Sequence, residues 1–335
     1  MDWKVCLLLV YALNIIVCGI LTVLPAIFTV KLVAQKAFFP VFTNLIGFAL
    51  STVICLPYSL YKLKDLKIEL SIFFKEHIEL FIFNGILEAH FFLAMTFCLK
   101  YTSFLSTLLM LNLCIPISVF LYNILYKKPC NIFSILQLMA NTFGVLTIVV
   151  TDFQRDNPNI YTTNTYLDTN ATTRLVGDML AIVAAILFAV KCFNNFTLVN
   201  RTSTTFTTGF MSFSAFLTTL PYFLIFELNS FNTFFSGSFA LGVPFYMAAF
   251  VVSQSGLCYV MKGRVNDENA STNNYQLLIA SIVAIILQFV DLKFDVLPGN
   301  IAGIVFFLCA HVFGFVRKDY TNLEKGRLQR LYDRT

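Results

Sequence analysis

IELFIFNGILEAHFFLAMTFCL (residues 78–99) is followed by a single lysine, Lys100, and then by YTSFLSTLLMLNLCIPISVFLYNILY (residues 101–126), so that two apolar runs of 22 and 26 residues are separated by one charge. At about 1.5 Å of rise per residue, each run is long enough to cross a hydrocarbon core of about 30 Å as a helix. A helix is the form it must take, because in lipid only a helix satisfies every backbone N–H and C=O within the segment. One lysine leaves no room for a loop. The pair is therefore predicted to be a tight antiparallel hairpin with its turn at Lys100.

The same pattern extends in both directions. Before the hairpin lie Val5 to Val30 and Val41 to Tyr61, and after it Ile132 to Val150, Leu175 to Phe196, Thr208 to Phe226, Phe239 to Met261, Asn273 to Val290 and Gly299 to Val316. Lys4 precedes the first run, as in a cleavable signal, but a signal's apolar core is only about 7 to 15 residues, so the run is read as a helix. The expectation is an all-α membrane protein with ten transmembrane helices. Composition agrees: 58% hydrophobic, 12% charged and 38 Phe in 335 residues, against roughly 25% charged in soluble domains.

The net charge of +5 would suggest nucleic acid in a soluble protein. Here the basic residues lie in short loops and in the tail from Arg317, where positive-inside topology accounts for them, so no nucleic-acid partner is expected. With the N-terminus cytoplasmic, sixteen Lys and Arg fall inside, six outside, and Lys191 remains within a helix. Both termini are predicted cytoplasmic. The sequon at Asn170 then lies in an outer loop, Thr151 to Arg174, and is a glycosylation candidate. The nine cysteines form no CxxC motif and read as small apolar packing residues, so no metal site or cofactor is expected.

The two halves echo one another. Ala140-Asn141-Thr-Phe-Gly144-Val145 resembles Gly299-Asn300-Ile-Ala-Gly303-Ile304, and Ser106-Thr107 resembles Ser271-Thr272 at a similar offset. Five helices per half is an odd number, so the halves insert with opposite orientation, the inverted repeat of many secondary transporters. This divides the chain into a first five-helix repeat (1–150), a loop (151–174), a second repeat (175–316) and a cytoplasmic tail (317–335). The binding site is expected at the midplane between the repeats.

Particular residues carry a family likeness. Ile86-Leu87-Glu88-Ala89-His90, the hairpin after it, Ile115-Pro116, Val176-Gly177-Asp178 and Ala270-Ser-Thr-x-Asn274-x-x-x-Leu278-x-Ala280 resemble, in this order and spacing, the F branch of solute carrier family 35 in the drug/metabolite transporter superfamily. The resemblance spans about Val5 to Lys318. It implies two inverted five-helix repeats that move a small organic solute, nucleoside-, nucleobase- or nucleotide-sugar-like, by alternating access, in the Golgi or another endomembrane or in the plasma membrane. The family pattern has an Asn where this chain has His90, acidic residues at Leu111 and Ser281, and a pair of glutamates at Asn195-Phe196. Several cavity charges of the family are thus absent, which puts its substrate preference in doubt here.

Among the buried polar candidates, Glu88 lies near mid-bilayer, where an acidic residue costs on the order of 3 kcal/mol. It is read either as a proton-coupling or substrate-accepting group or as a protonated acid bonded to a neighbouring helix. His90 lies about 200° further around the helix, so it cannot share a cavity with Glu88; it suits a packed, hydrogen-bonded histidine or a pH-sensitive relay. Lys191 is either a cation for an anionic solute or an anchor snorkelling to the cytoplasmic interface, and a small effect of its loss is expected. Asn112, Gln254 and Asn274 are neutral candidates for solute binding or inter-helix glue. Pro116 and Pro244 are expected to kink their helices as hinges. Gly299 and Gly303 form a GxxxG face for helix packing or for a homodimer. Two functions remain: a secondary transporter, with proton coupling as one option, and a non-transporting scaffold or membrane enzyme. The enzyme reading lacks converging nucleophile, base or metal ligands.

Overall fold

The computed structural model describes residues 38–65, 70–125, 131–154, 170–201, 204–230, 269–290 and 298–332, with scattered helical residues between 13 and 30. Side chains at several helix ends, including 62–77, 199–205, 269–276 and 317–332, fall outside the described set. Pro244, Gln254, the predicted span Phe239 to Met261 and the side chain of Asn274 also lie outside it. The described residues form nine α-helices and one 3₁₀ turn, with no strand among them.

The helices are α1 (Pro40–Asp65), α2 (Leu70–Tyr101), α3 (Phe104–Leu111), α4 (Cys114–Leu125), α5 (Ile132–Gln154), α6 (Ala171–Arg201), α7 (Thr204–Phe226), α8 (Asn269–Val290) and α9 (Pro298–Tyr332). Among the described residues, six stretches are long and apolar enough to cross a membrane: Pro40–Tyr58, Ile78–Tyr101, Phe104–Leu125, Ile132–Gln154, Ala171–Asn195 and Phe206–Phe226. Leu277–Leu287 and Pro298–Gly314 are shorter apolar helices. Large apolar side chains stand exposed on most of these helices, among them Val53, Phe83, Leu146, Val183 and Ile225. In water such a surface would aggregate; in a bilayer it faces lipid. The chain is a multi-pass membrane protein.

A turn joins the two runs, but it is not at Lys100, and the helices on either side of it diverge rather than pack as a tight antiparallel hairpin. Helix α2 runs on through Tyr101, and Ser103 caps α3 by accepting a hydrogen bond from the Ser106 N–H at 3.0 Å. A serine oxygen that satisfies an orphan N–H is a stronger start signal than a lysine. Lys100 instead lies over the rings of Phe38 and Tyr101, 5.0 and 5.3 Å from their centroids.

The second of the two runs is discontinuous. Pro116 has no N–H to give the carbonyl of Asn112, and its ring crowds that carbonyl. The backbone tightens there: Asn112 N–H bonds Leu109 O at 3.1 Å, Leu113 N–H bonds Met110 O at 3.0 Å and Ile115 N–H bonds Asn112 O at 3.1 Å. The kink expected at Pro116 is a break one turn earlier, between α3 and α4.

The loop predicted from Thr151 to Arg174 is shorter than expected. Asp152 lies on α5 and Arg174 on α6, both buried. Charge at the edge of an apolar run reads as water-exposed; here Arg174 Nε donates to the backbone carbonyl of Asp152 across the helix ends. Similarly, α9 continues to Tyr332, beyond the predicted span end at Val316.

Besides the antiparallel packing of α1 on α7, where Phe42 stacks on Phe223, two antiparallel seams organise the bundle. In the first, α2 meets α6, with Asn84 beside Asn195, Glu88 beside Lys191, Phe91 beside Phe188 and Thr102 beside Asp178. Ala181, Ala184, Ala185 and Ala189 are buried to within 1% exposure on α6, and their small side chains let the helices approach. In the second, α5 meets α9. A Cβ on Gly303 would stand 2.7 Å from Ile148, one on Gly144 3.1 Å from the Phe307 ring, and one on Gly299 would collide with Thr151. The GxxxG face is therefore packed against α5 of the same chain.

Candidate functional site

The interior of the first seam carries charge. Lys191 Nζ donates to Glu88 Oε1 at 2.9 Å, with the side chains 1% and 3% exposed. Lys191 does not snorkel: thirteen residues past Asp178 on α6, it meets Glu88 across the seam, deep in both helices. A buried cation needs a partner, and the carboxylate offsets a desolvation cost of several kcal/mol per ion. The rings of Phe91, Phe92 and Phe188 surround the ammonium, their centroids 5.8, 5.6 and 5.8 Å away, inside the range at which a ring face attracts a cation. The result is a charged but net-neutral centre with aromatic walls. Sequence spacing could not find it, because the partners are 103 positions apart.

One turn along the same seam, Asn84 Nδ2 donates to Asn195 Oδ1 at 2.9 Å. Asn195 thus belongs to an amide pair. His90 points elsewhere: Nδ1 lies 2.8 Å from Ile86 O and Nε2 3.3 Å from the Tyr222 hydroxyl on α7. Glu88 and His90 face different neighbours, as their helical spacing requires.

The second polar centre is the helix break. Asn112 Nδ2 donates to Leu108 O at 3.2 Å, to Leu109 O at 3.1 Å and to Ser281 Oγ on α8 at 2.9 Å. It thereby caps carbonyls freed by the break and ties α3 to α8. Its Oδ1 is buried without a hydrogen-bond partner. Discontinuous helices with such unpaired buried backbone and amide groups are where transporters often hold cargo or ions.

A third cluster was not anticipated from the sequence. The Thr102 hydroxyl lies 2.6 Å from Asp178 Oδ1 and 3.3 Å from Asp152 Oδ2. Ser106 donates to Asp152 Oδ2, and Ser103 donates to Ser106 at 2.7 Å. Arg174 Nε donates to the Asp152 carbonyl at 2.9 Å. The available signal was the run Thr102-Ser103-x-x-Ser106-Thr107 just after the turn.

Asn170 is exposed and caps α6, its Oδ1 accepting from Thr173 N–H at 2.9 Å and Thr173 Oγ1 at 2.6 Å. Among the described residues, no group of three or more His, Cys, Asp or Glu is placed to hold a metal ion.

This fold and these centres define a polytopic α-helical membrane protein with a paired charge in its interior. The description of solute carrier family 35, SLC35F, matches residues 2–310, and the chain belongs to that family. It is a family of solute transporters rather than enzymes. No curated protein matches the chain in sequence. Of the solved structures, 11 chains match. One, a crystal structure described only as that of a protein, is similar with a TM-score of 0.53 at 10% identity, over 90% of this chain and 96% of its own. At that identity the likeness speaks to the fold alone.

Proposed function

We propose that the chain is a secondary transporter that moves a small polar organic solute by alternating access, through ten helices arranged as two inverted five-helix repeats. The observation that carries the reading is the Glu88–Lys191 ion pair buried between α2 and α6. Intramembrane charges are costly and mark solute or ion pathways by default. The repeat is supported by the second seam: the echoed segments around Gly144 and Gly303 cross one another antiparallel, as equivalent helices of inverted halves would.

The net charge of the centre points to the cargo. A diphosphate would have to displace Glu88 from Lys191 and usually draws more than one cation. A neutral, aromatic solute needs no such displacement: it can stack on Phe rings and bond the amides of Asn84, Asn195 and Asn112. The favoured cargo is nucleoside- or nucleobase-like, ahead of a nucleotide sugar.

Uptake by proteoliposomes offered nucleosides, nucleobases and nucleotide sugars tests this. The double variant Glu88→Gln/Lys191→Gln is the key control, since it removes both charges together and leaves neither unpaired. Normal folding with lost uptake supports a transport role. Normal folding with wild-type uptake of every cargo would reduce the pair to packing. Tags at both termini accessible only from the cytosol, with a tag near Asn170 accessible only from the other side, test the topology.

A further inference from the structure

Helix α3 ends at Leu111 and α4 begins at Cys114, so the span Phe104–Leu125 is broken around Asn112. At about 1.5 Å per residue, Asn112 lies about 12 Å along that span, near the middle of a hydrocarbon core of about 30 Å. Lipid offers no hydrogen bonds at that depth. Each polar atom of the break must find its partner in the protein or in something the protein binds.

The amide of Asn112 is oriented by its surroundings. One end lies 3.2 and 3.1 Å from the carbonyl oxygens of Leu108 and Leu109. Carbonyls only accept, so this end is the NH2 group; a flipped amide would set oxygen against oxygen. Its two protons already serve three acceptors, the third being Ser281 Oγ at 2.9 Å, and nothing is left on the nitrogen for a ligand. The oxygen is the reverse case. Asn112 is 1% exposed, and its Oδ1 has no hydrogen-bond partner.

The helices packed on the break bring it little but apolar surface. α3 packs against α6 and α8. To the core cluster that holds Leu108, Leu109 and Leu111, α6 contributes Ala181, Ala184 and Ala185, and α8 contributes Leu277, Ala280 and Ala284. None of these six has a side-chain donor. Ser281 is engaged with the amide nitrogen, and its rotatable hydroxyl suits a ligand's donor or acceptor alike. The atom that discriminates is Oδ1, which can only accept.

We propose that Asn112 Oδ1 is the specificity-determining acceptor of a cargo site at the helix break, selecting neutral ring solutes that carry an N–H donor, such as an exocyclic amine, over rings that lack one. A donor placed there relieves a buried, unpaired oxygen; a donor-free ring leaves it unpaired. That the bound solute is a transported cargo rests on the function proposed above; the acceptor itself does not.

Thermal unfolding of the purified full-length protein in detergent, titrated with four neutral probes, reads binding without transport. Adenine methylated at its glycosidic nitrogen keeps the exocyclic amine as its only donor, and purine methylated at the same nitrogen keeps none. Cytosine methylated likewise and uracil methylated on both ring nitrogens make the corresponding pyrimidine pair. The amine of each pair should stabilise the wild type at roughly tenfold lower concentration than its partner. Ser281→Ala should keep this preference and Asn112→Ala should erase it. Equal binding within both pairs, tighter binding of the donor-free members, no binding by any of the four, or a preference that survives in folded Asn112→Ala overturns the proposal. If Asn112→Ala does not fold, Asn112→Asp, which keeps an acceptor in place, should retain the preference, and its loss there overturns the proposal equally. Proteoliposome uptake of the same probes judges the transporter reading separately: binding with the preference but without uptake sinks that reading alone, and uptake without the preference sinks only the acceptor site.

Discussion

The α2–α6 and α5–α9 seams are both antiparallel helix pairs, yet they are built from opposite materials. The first is joined by polar contacts at Asn84–Asn195, Glu88–Lys191 and Thr102–Asp178. The second is held by closeness: Gly144, Gly299 and Gly303 admit Phe307, Thr151 and Ile148. Lipid supplies no hydrophobic drive between helices, so either small residues or polar pairs must bind them. Polar pairs are the costlier choice when broken, because each leaves an unsatisfied group behind. A seam that carries them is therefore sensitive to one lost partner, whereas the glycine seam is sensitive to added volume.

The sharpest way to break this contrast is at the ion pair. Glu88→Gln or Lys191→Gln alone should cost about 3–5 kcal/mol, since each strands a buried charge. The double variant should recover most of that loss. Thermal unfolding in detergent measures all three. Equal losses for singles and double would mean that the pair does not act as a pair. A snorkelling Lys191 would have predicted almost no change.

On the glycine seam the expected effects are smaller and steric. Gly303→Ala puts a methyl 2.7 Å from Ile148 Cγ1, while Gly144→Ala meets the edge of Phe307 at 3.1 Å. Overpacking of this kind costs about 1–3 kcal/mol, and the alanine gains back a little helix propensity. Gly303→Ala should therefore lower stability by more than Gly144→Ala. A Gly303→Ala protein of full stability but altered oligomeric state would return this face to the role of a contact between copies.

These contrasts show what the sequence could disclose. Apolar runs and a one-residue gap were enough for two spans joined by a turn between residues 78 and 125, because length against bilayer thickness is a one-dimensional argument; that the two would not pack on each other was not legible there. The spacing of Glu88 and His90 correctly separated them, since helix geometry is local. The partner of Lys191 was hidden because it lies on another helix, and so the lysine read as an anchor. Asp152 and Arg174 were hidden for a different reason. Polar residues at the end of an apolar run look the same whether they face water or each other.

A third region sets a milder case. Glu227, just beyond the apolar span that ends at Phe226, accepts hydrogen bonds from the N–H groups of Val41 at 3.1 Å and Phe42 at 2.7 Å. It caps the first turn of α1, where a helix favours negative charge. Glu227→Ala should cost about 1 kcal/mol, as lost caps do. Burial raises this carboxyl above its ordinary range against the pull of the two N–H bonds. The folded state thus holds the proton more tightly than the unfolded chain, and its contribution to stability falls as pH rises through that interval. Glu227→Gln should lack that slope, which pH-dependent unfolding would reveal.

The smallest effect is expected where α3 meets α8. Asn112 donates to Ser281 at 2.9 Å, and such inter-helix bonds in membranes are worth about 0.6 kcal/mol on average. Ser281→Ala should cost no more than that, because Asn112 Nδ2 retains the carbonyls of Leu108 and Leu109 as acceptors. Asn112→Ala should cost more, because it strips the cap from a break that Pro116 enforces. Asn112→Asp separates cap from cargo contact. The acid keeps the shape and an acceptor but loses the donors, so if Oδ1 serves the solute, binding should survive better than stability. The reverse pattern, a stable protein that no longer binds, would assign the amide N–H to the solute and the cap to something else. Ser281 and Asn112 measured together in a double-mutant cycle should show a coupling no larger than the single bond; a larger one would mean that the break and α8 move as one unit.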